Sequence, residues 1–204
     1  MMKAIDLNQS YTFSKFFELK IPAKDLCRAF GYSFERKRLN LPAYAEKIDR
    51  VRQTQARIEE ILPHAGLGSE AARRELLIAP LLFDLVHYTR AEVNIEYTLK
   101  VNDQLQGTLD YLLEAPQRVL VVEAKKEDLD LGMTQLCAEL IALDQWETDI
   151  QQDYWLGGVT TGKIWEFAKL DRQHRHLEQG LESYRVPEDL EPLMRILIQA
   201  LVGA

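Results

Sequence analysis

Between residues 93 and 113 the chain alternates apolar and polar positions with a period of two. Val93, Ile95, Tyr97, Leu99 and Val101 alternate with Asn94, Glu96, Thr98 and Lys100. Leu105, Gly107, Leu109, Tyr111 and Leu113 then alternate with Gln106, Thr108, Asp110 and Leu112. This is the pattern of two half-buried strands. Keeping both apolar sets on one face requires an odd loop, Asn102-Asp103-Gln104, which pairs Val101 with Leu105 and sets Glu96 opposite Asp110. A third strand, Arg118 to Lys125, has an apolar run on both faces, as a central strand should.

Helical periods surround these strands. Ser69 is placed as an N-cap for a buried helix from Glu70 to about His87, with a kink or break expected at Pro80. Asp130 to Trp146 reads as a second helix. Tyr154–Thr160 and Lys163–Leu170 read as a second hairpin turning at Thr161-Gly162, and Pro187–Leu201 as an amphipathic helix. From residue 69 the order is helix, three strands, helix, two strands. That order predicts an α/β fold with a mixed sheet and excludes a doubly wound βαβ series. Residues 1–62 read as a helical N-terminal extension, with helices near Ala23–Phe30 and Tyr44–Leu62. Residues 63–170 form the α/β core, and residues 171–204 a C-terminal segment and helix packed on it.

Composition narrows the class. The 204 residues are 47% apolar and 28% charged, which is globular. No apolar run approaches the ~18 residues of a membrane span, and the first twenty residues lack a secretory pattern. A cytoplasmic protein without membrane association is expected. Cys27 and Cys137, far apart in sequence and without a nearby histidine, support neither a disulfide framework nor a zinc ribbon. Net charge is −7, which argues against binding nucleic acid by bulk charge. The charge is uneven: residues 1–60 carry 12 basic and 8 acidic side chains, and the rest carry 13 and 24. Arg36-Lys37-Arg38 is the densest basic point.

The candidate chemistry sits at the end of the third strand. Glu123 and Lys125, two residues apart on a strand, project from one face. Two other Glu-x-Lys triplets, beginning at Glu18 and Glu35, end no apolar strand and follow no acid-bearing hairpin. Asp110 lies on the preceding strand, and strands ~4.8 Å apart let Asp110 and Glu123 converge. Carboxylates ~4 Å apart repel by ~4 kcal/mol at an effective dielectric near 20. A divalent cation relieves that repulsion, and an all-oxygen site suits Mg²⁺ or Mn²⁺. Lys125 beside it would orient or deprotonate a water, or stabilise charge on a phosphorane. Glu96, opposite Asp110, adds a second like-charge pair that a cation would relieve.

Glu123-Ala124-Lys125 after an apolar strand, preceded by Gly107-Thr108-Leu109-Asp110-Tyr111, resembles the PD-(D/E)xK nuclease superfamily. The nearer resemblance is to the N-terminal nuclease domain of type I restriction-enzyme motor subunits and their stand-alone relatives. It is carried by Glu70, Arg74, Ile78, Pro80 and Leu82 on the first helix, by Gln135-Leu136, and by Val159 to Phe167 on the second hairpin. Leu109 stands where that family's nominal proline would be. The resemblance covers about residues 69–170 and implies a restriction-endonuclease-like αβββαβ core. It implies DNA as substrate, Mg²⁺ or Mn²⁺ as cofactor and products carrying a 5′-phosphate. Asp110 and Glu123 would ligate the metal with the Ala124 carbonyl. Lys125 would act on the nucleophilic water, Glu70 would approach the metal, and Gln135 would support the site or contact the nucleic-acid backbone. Family members often need a partner subunit, and residues 1–62 offer a place for specificity or a homodimer contact.

Two other readings compete. The acidic balance around the site fits a non-catalytic nucleic-acid-binding or regulatory module on the same fold. Leu193, Ile196, Leu197 and Leu201, on one side of the last helix, fit an interaction protein that packs on its own copy. His174 and His176 lack convincing ligand spacing, and Gly66-Leu67-Gly68 lacks the strand and Gly-Lys-Ser/Thr of a phosphate loop. Trp165 reads as core, with base stacking as the alternative.

Overall fold

The computed structural model describes residues 5–6, 9–147, 149–150 and 152–203. Two short helices, α1 (Phe13–Leu19) and α2 (Ala23–Ala29), lead to strand β1 (Ser33–Lys37) and helix α3 (Val51–Ile61). Helix α4 (Glu70–Arg73) passes through a π turn (Arg74–Ile78) into α5 (Ala79–Thr89). Strands β2 (Glu92–Lys100), β3 (Gln106–Ala115) and β4 (Arg118–Ala124) follow, then helix α6 (Leu129–Trp146). Strands β5 (Tyr154–Thr160), β6 (Ile164–Asp171) and β7 (His176–Arg185) precede the last helix, α7 (Leu190–Val202). The seven strands form one sheet in the order β1-β7-β6-β5-β4-β3-β2. It is mixed, with β4/β5 and β1/β7 parallel and the other pairs antiparallel. The fold is therefore α/β, a seven-stranded mixed sheet flanked by helices. No helix among the described residues is long and apolar enough to cross a membrane.

The N-terminal boundary follows from capping. Ser69 Oγ accepts the Ala72 N–H at 3.1 Å, fixing where α4 begins. Pro80 breaks nothing. It lies in the first turn of α5, where its missing N–H is tolerated, and the π turn immediately before it absorbs the disturbance.

The β2–β3 register agrees with the odd loop: Ile95 lies opposite Tyr111, Tyr97 opposite Leu109, and the Val101 N–H bonds the Leu105 carbonyl at 3.0 Å. The single apolar face does not survive. Leu99, Leu105 and Leu109 join a core shared with α1, α2 and α6, whereas Tyr111 and Leu113 join a second core with α3, α5 and α7. Ile95 is left 61% exposed. The strand pair turns over at Glu96, which has a left-handed backbone (φ 55°) and drops out of the ladder opposite Asp110. Helices cover both sheet faces, so a strand that changes face midway still buries its apolar side chains.

Residues 1–62 are not a wholly helical extension. Ser33–Lys37 is an edge strand pairing in parallel with β7, and residues 44–50 are not helical. The basic triplet lies on and just past this strand among acids: Arg36 meets Asp130, Lys37 meets Glu178 and Glu35, and Arg38 lies 3.8 Å from Glu182. The C-terminal segment likewise contains β7, not only a helix. Both missed strands are polar; β1 is the edge strand and β7 lies next to it, so this end of the sheet needs little apolar sequence. The apolar side of α7 is spent within the chain. Leu193, Ile196, Leu197 and Leu201 are buried in the second core, which removes the surface for self-packing. Trp165 is fully buried and offers nothing to a base. Cys27 and Cys137 meet in the first core as free thiols, and burial followed by Cys27 pushes the Cys137 thiol up.

Candidate active site

Asp110 and Glu123 arrive from adjacent strands. β3 and β4 pair with Tyr111 opposite Val122, so one residue further on Asp110 stands beside Glu123. Asp110 Oδ2 accepts the Ala124 N–H at 2.8 Å, which ties the acid to the end of β4. Its Oδ1 faces Arg74 Nη1 at 3.8 Å. The same guanidinium donates to the Tyr111 hydroxyl at 3.0 Å and to Glu96 at 3.2 Å. The Glu96–Asp110 pair thus already has its cation. An arginine carried by the π turn relieves the repulsion, so no metal is needed between those two strands. Glu96 is otherwise solvated, with its side chain 65% exposed.

Glu123 is 1% exposed. Its Oε1 takes the Lys125 ammonium and, at 2.6 Å, the Gln135 side-chain amide. No donor among the described residues reaches its Oε2. Burial, and then the charge of Asp110, push the carboxyl up to about 7. Burial opposes the charge on Lys125, but Glu123 beside it more than compensates, and the ammonium is held above its ordinary value. Lys125 is therefore charged at neutral pH. It is suited to orienting a water or stabilising negative charge rather than to accepting a proton.

The parallel β4–β5 pairing holds Lys125 in place. Its N–H donates to the Thr160 carbonyl at 2.7 Å, and its ammonium lies 5.4 Å from the centre of the Phe17 ring. Its stem lies against Gly132 in the first turns of α6, where an added Cβ would sit 2.9 Å from Lys125 Cγ and 2.8 Å from Val159 Cγ2. Gly132→Val should therefore displace the lysine and lower stability by about 1–3 kcal/mol, measurable by urea unfolding.

Lys125, Gln135 and Glu70 line one cleft of about 410 Å³ together with Phe17, Lys126 and Glu127. The structure thus brings Asp110, Glu123, Lys125 and Gln135 into one connected cluster and sets Glu70 on the same cleft wall. Larger hollows near Arg172 and Lys24 hold none of these groups. Three participants were not anticipated. Phe17 comes from α1 and has no sequence signal. Arg74 was noted only as part of a helix pattern. Glu139 did have a signal: an acid one turn after Gln135 in a helix otherwise apolar there. Glu139 is 0% exposed and accepts from Gln135 Nε2 at 2.9 Å. Burial, followed by the Glu123 charge, raises its carboxyl well above the ordinary range.

Among the described residues, the one group of three His, Cys, Asp or Glu side chains with ligand atoms within 4.8 Å of one another lies elsewhere. It is Glu35, His176 and Glu178 on β1 and β7, and Lys37 reaches Glu178 at 2.7 Å and Glu35 at 3.2 Å. Lys37, with Lys169 at 3.7 Å from Glu178, already offsets the two carboxylates of that group. No protein-family model matches the chain, and comparison with the curated proteins gives no match.

Proposed function

We propose that this chain is a divalent-metal-dependent phosphodiesterase that cleaves DNA in a restriction- or defence-like setting, on a restriction-endonuclease-like core. The observation that carries the reading is the cluster at the end of β4: Glu123, Lys125 and Gln135 joined side chain to side chain, Asp110 tied to the Ala124 N–H beside them, and Glu70 on the adjoining cleft. The order α4/α5, β2, β3, β4, α6, β5 supports it, as does the Glu-x-Lys placement on a central strand. The two thiols without a disulfide fit a cytoplasmic setting.

The donor set fits a hard cation. Glu123 Oε2 is buried without a donor, Asp110 stands beside it, and every candidate ligand atom is oxygen. Asp110, Glu123 and the Ala124 carbonyl would hold Mg²⁺ or Mn²⁺, which would supply Lewis-acid activation of a phosphodiester and its attacking water. The remaining work falls to the chain. Gln135 fixes Glu123 through Oε1. Lys125 presents a positive charge to the cleft, where charge develops on a phosphate oxygen. Gly132 lies against the Lys125 stem, and the Phe17 ring faces its ammonium.

The test is cleavage of supercoiled, linear and single-stranded DNA with Mg²⁺, Mn²⁺ or EDTA, beside Mn²⁺ titration of wild type and Asp110→Asn. Metal-dependent cleavage, with Mn²⁺ binding lost in Asp110→Asn, is expected. A wild type that neither binds Mn²⁺ nor cuts would sink the proposal in favour of a non-catalytic nucleic-acid-binding module.

A further inference from the structure

We infer that Glu139 is a positioning residue that holds Glu123 in its ligating orientation through the Gln135 amide. The inference rests on the nuclease reading above and concerns a residue outside the Glu-x-Lys pattern. Glu139 lies in the middle of α6 among Leu136, Cys137, Ala138, Leu140 and Ile141, all fully buried. A carboxyl in such a place opposes folding, since one of its oxygens, Oε2, has no protein donor among the described residues. An apolar residue would serve the core better, so what the carboxyl does there must be sought in its contacts.

Gln135 is one turn earlier on the same helix face. Its Nε2 donates to Glu123 Oε1 at 2.6 Å and to Glu139 Oε1 at 2.9 Å. One amide nitrogen thus gives both protons to two carboxyl groups. Glu139 gives the amide a second anchor beside Glu123: turned over, Gln135 would present its oxygen to the Oε1 of both acids. With the amide held, Glu123 Oε1 stays between Gln135 and Lys125, and the buried Oε2 is left without a protein donor, as a cation ligand would be. Outer groups that orient a ligand in this way typically carry about 10- to 100-fold of metal affinity.

The experiment is Mn²⁺ titration by calorimetry on the full chain, with thermal melting to confirm the fold. Glu139→Leu should weaken Mn²⁺ binding about 10- to 100-fold. Glu139→Gln keeps an oxygen to accept from Gln135 and should stay close to wild type. Gln135→Leu breaks the bridge from the other end, and Glu139→Leu combined with Gln135→Leu should bind no worse than either alone. This non-additivity separates positioning from a general effect on the fold, and Gln135→Leu keeps the test open should Glu139→Leu misfold. The inference is overturned if Glu139→Leu binds like wild type, if Glu139→Gln falls as far as Glu139→Leu, or if the two losses simply add. A wild type that binds no Mn²⁺ removes the nuclease reading and this inference together. Binding by wild type with no effect of Glu139→Leu removes this inference alone.

Discussion

Lys125→Met is expected to slow metal-dependent DNA cleavage by about 10²–10³-fold while leaving Mn²⁺ binding nearly intact. Methionine keeps an unbranched apolar stem against Gly132, so the cleft wall is retained. What disappears is the charge, which the structure holds on the ammonium through Glu123. The loss should fall on kcat rather than KM, because charge on a phosphate oxygen grows toward the transition state. Removing the ammonium also leaves Glu123 buried between Asp110 and Glu139 without a cation. Without metal the variant should therefore melt below wild type, and because both bind Mn²⁺ alike, added Mn²⁺ should raise the two melting temperatures by similar amounts. Steady-state kinetics and melting curves with and without Mn²⁺ check both statements. Full activity in Lys125→Met would remove the lysine from the chemistry.

Glu139→Gln should stabilise the metal-free protein at neutral and alkaline pH by about 1–3 kcal/mol, the typical scale for a buried polar group lacking its partner. For a chain of this length that is several degrees in Tm. The sign follows from proton linkage. Burial and the neighbouring Glu123 raise the folded-state value of Glu139 well above an ordinary glutamate. Above the ordinary value the unfolded chain releases this proton while the folded chain retains it, so wild-type stability falls as pH rises. Glutamine has no proton to release. The two melting temperatures should accordingly converge near pH 4 and separate toward pH 8. Lys125 attracts the Glu139 charge and moderates the effect without reversing it. A separation that shrinks with rising pH would contradict this assignment.

Several features were legible because they are local. The β2–β3 register followed from alternation and loop parity, and Val101 does meet Leu105. Ser69 as a cap, α6, and the β5–β6 hairpin are read from spacing and turn residues within a few positions. The pairing of Glu123 with Lys125 on one strand face needs only a period of two. The other side of the site was not legible. Arg74 between Glu96 and Asp110, Phe17 against Lys125 and the Gln135 bridge from Glu123 to Glu139 each join residues from separate elements.

What the sequence by itself determined is the set of strands and helices of residues 69–170, their order, and the strand end at which Asp110, Glu123 and Lys125 lie. Alternation and capping are interactions among neighbours, and they act before any tertiary contact exists. Only the tertiary structure decided that Ser33–Lys37 closes one rim of the sheet, since its partner β7 lies more than a hundred residues away and neither strand is apolar enough to announce itself. The same is true of the switch of face at Glu96, because covering helices on both sides let the strand bury either face. It also made Glu139 part of the site. A carboxyl's burial and its partners depend on what packs over it, and that is a property of the assembled sheet and helices.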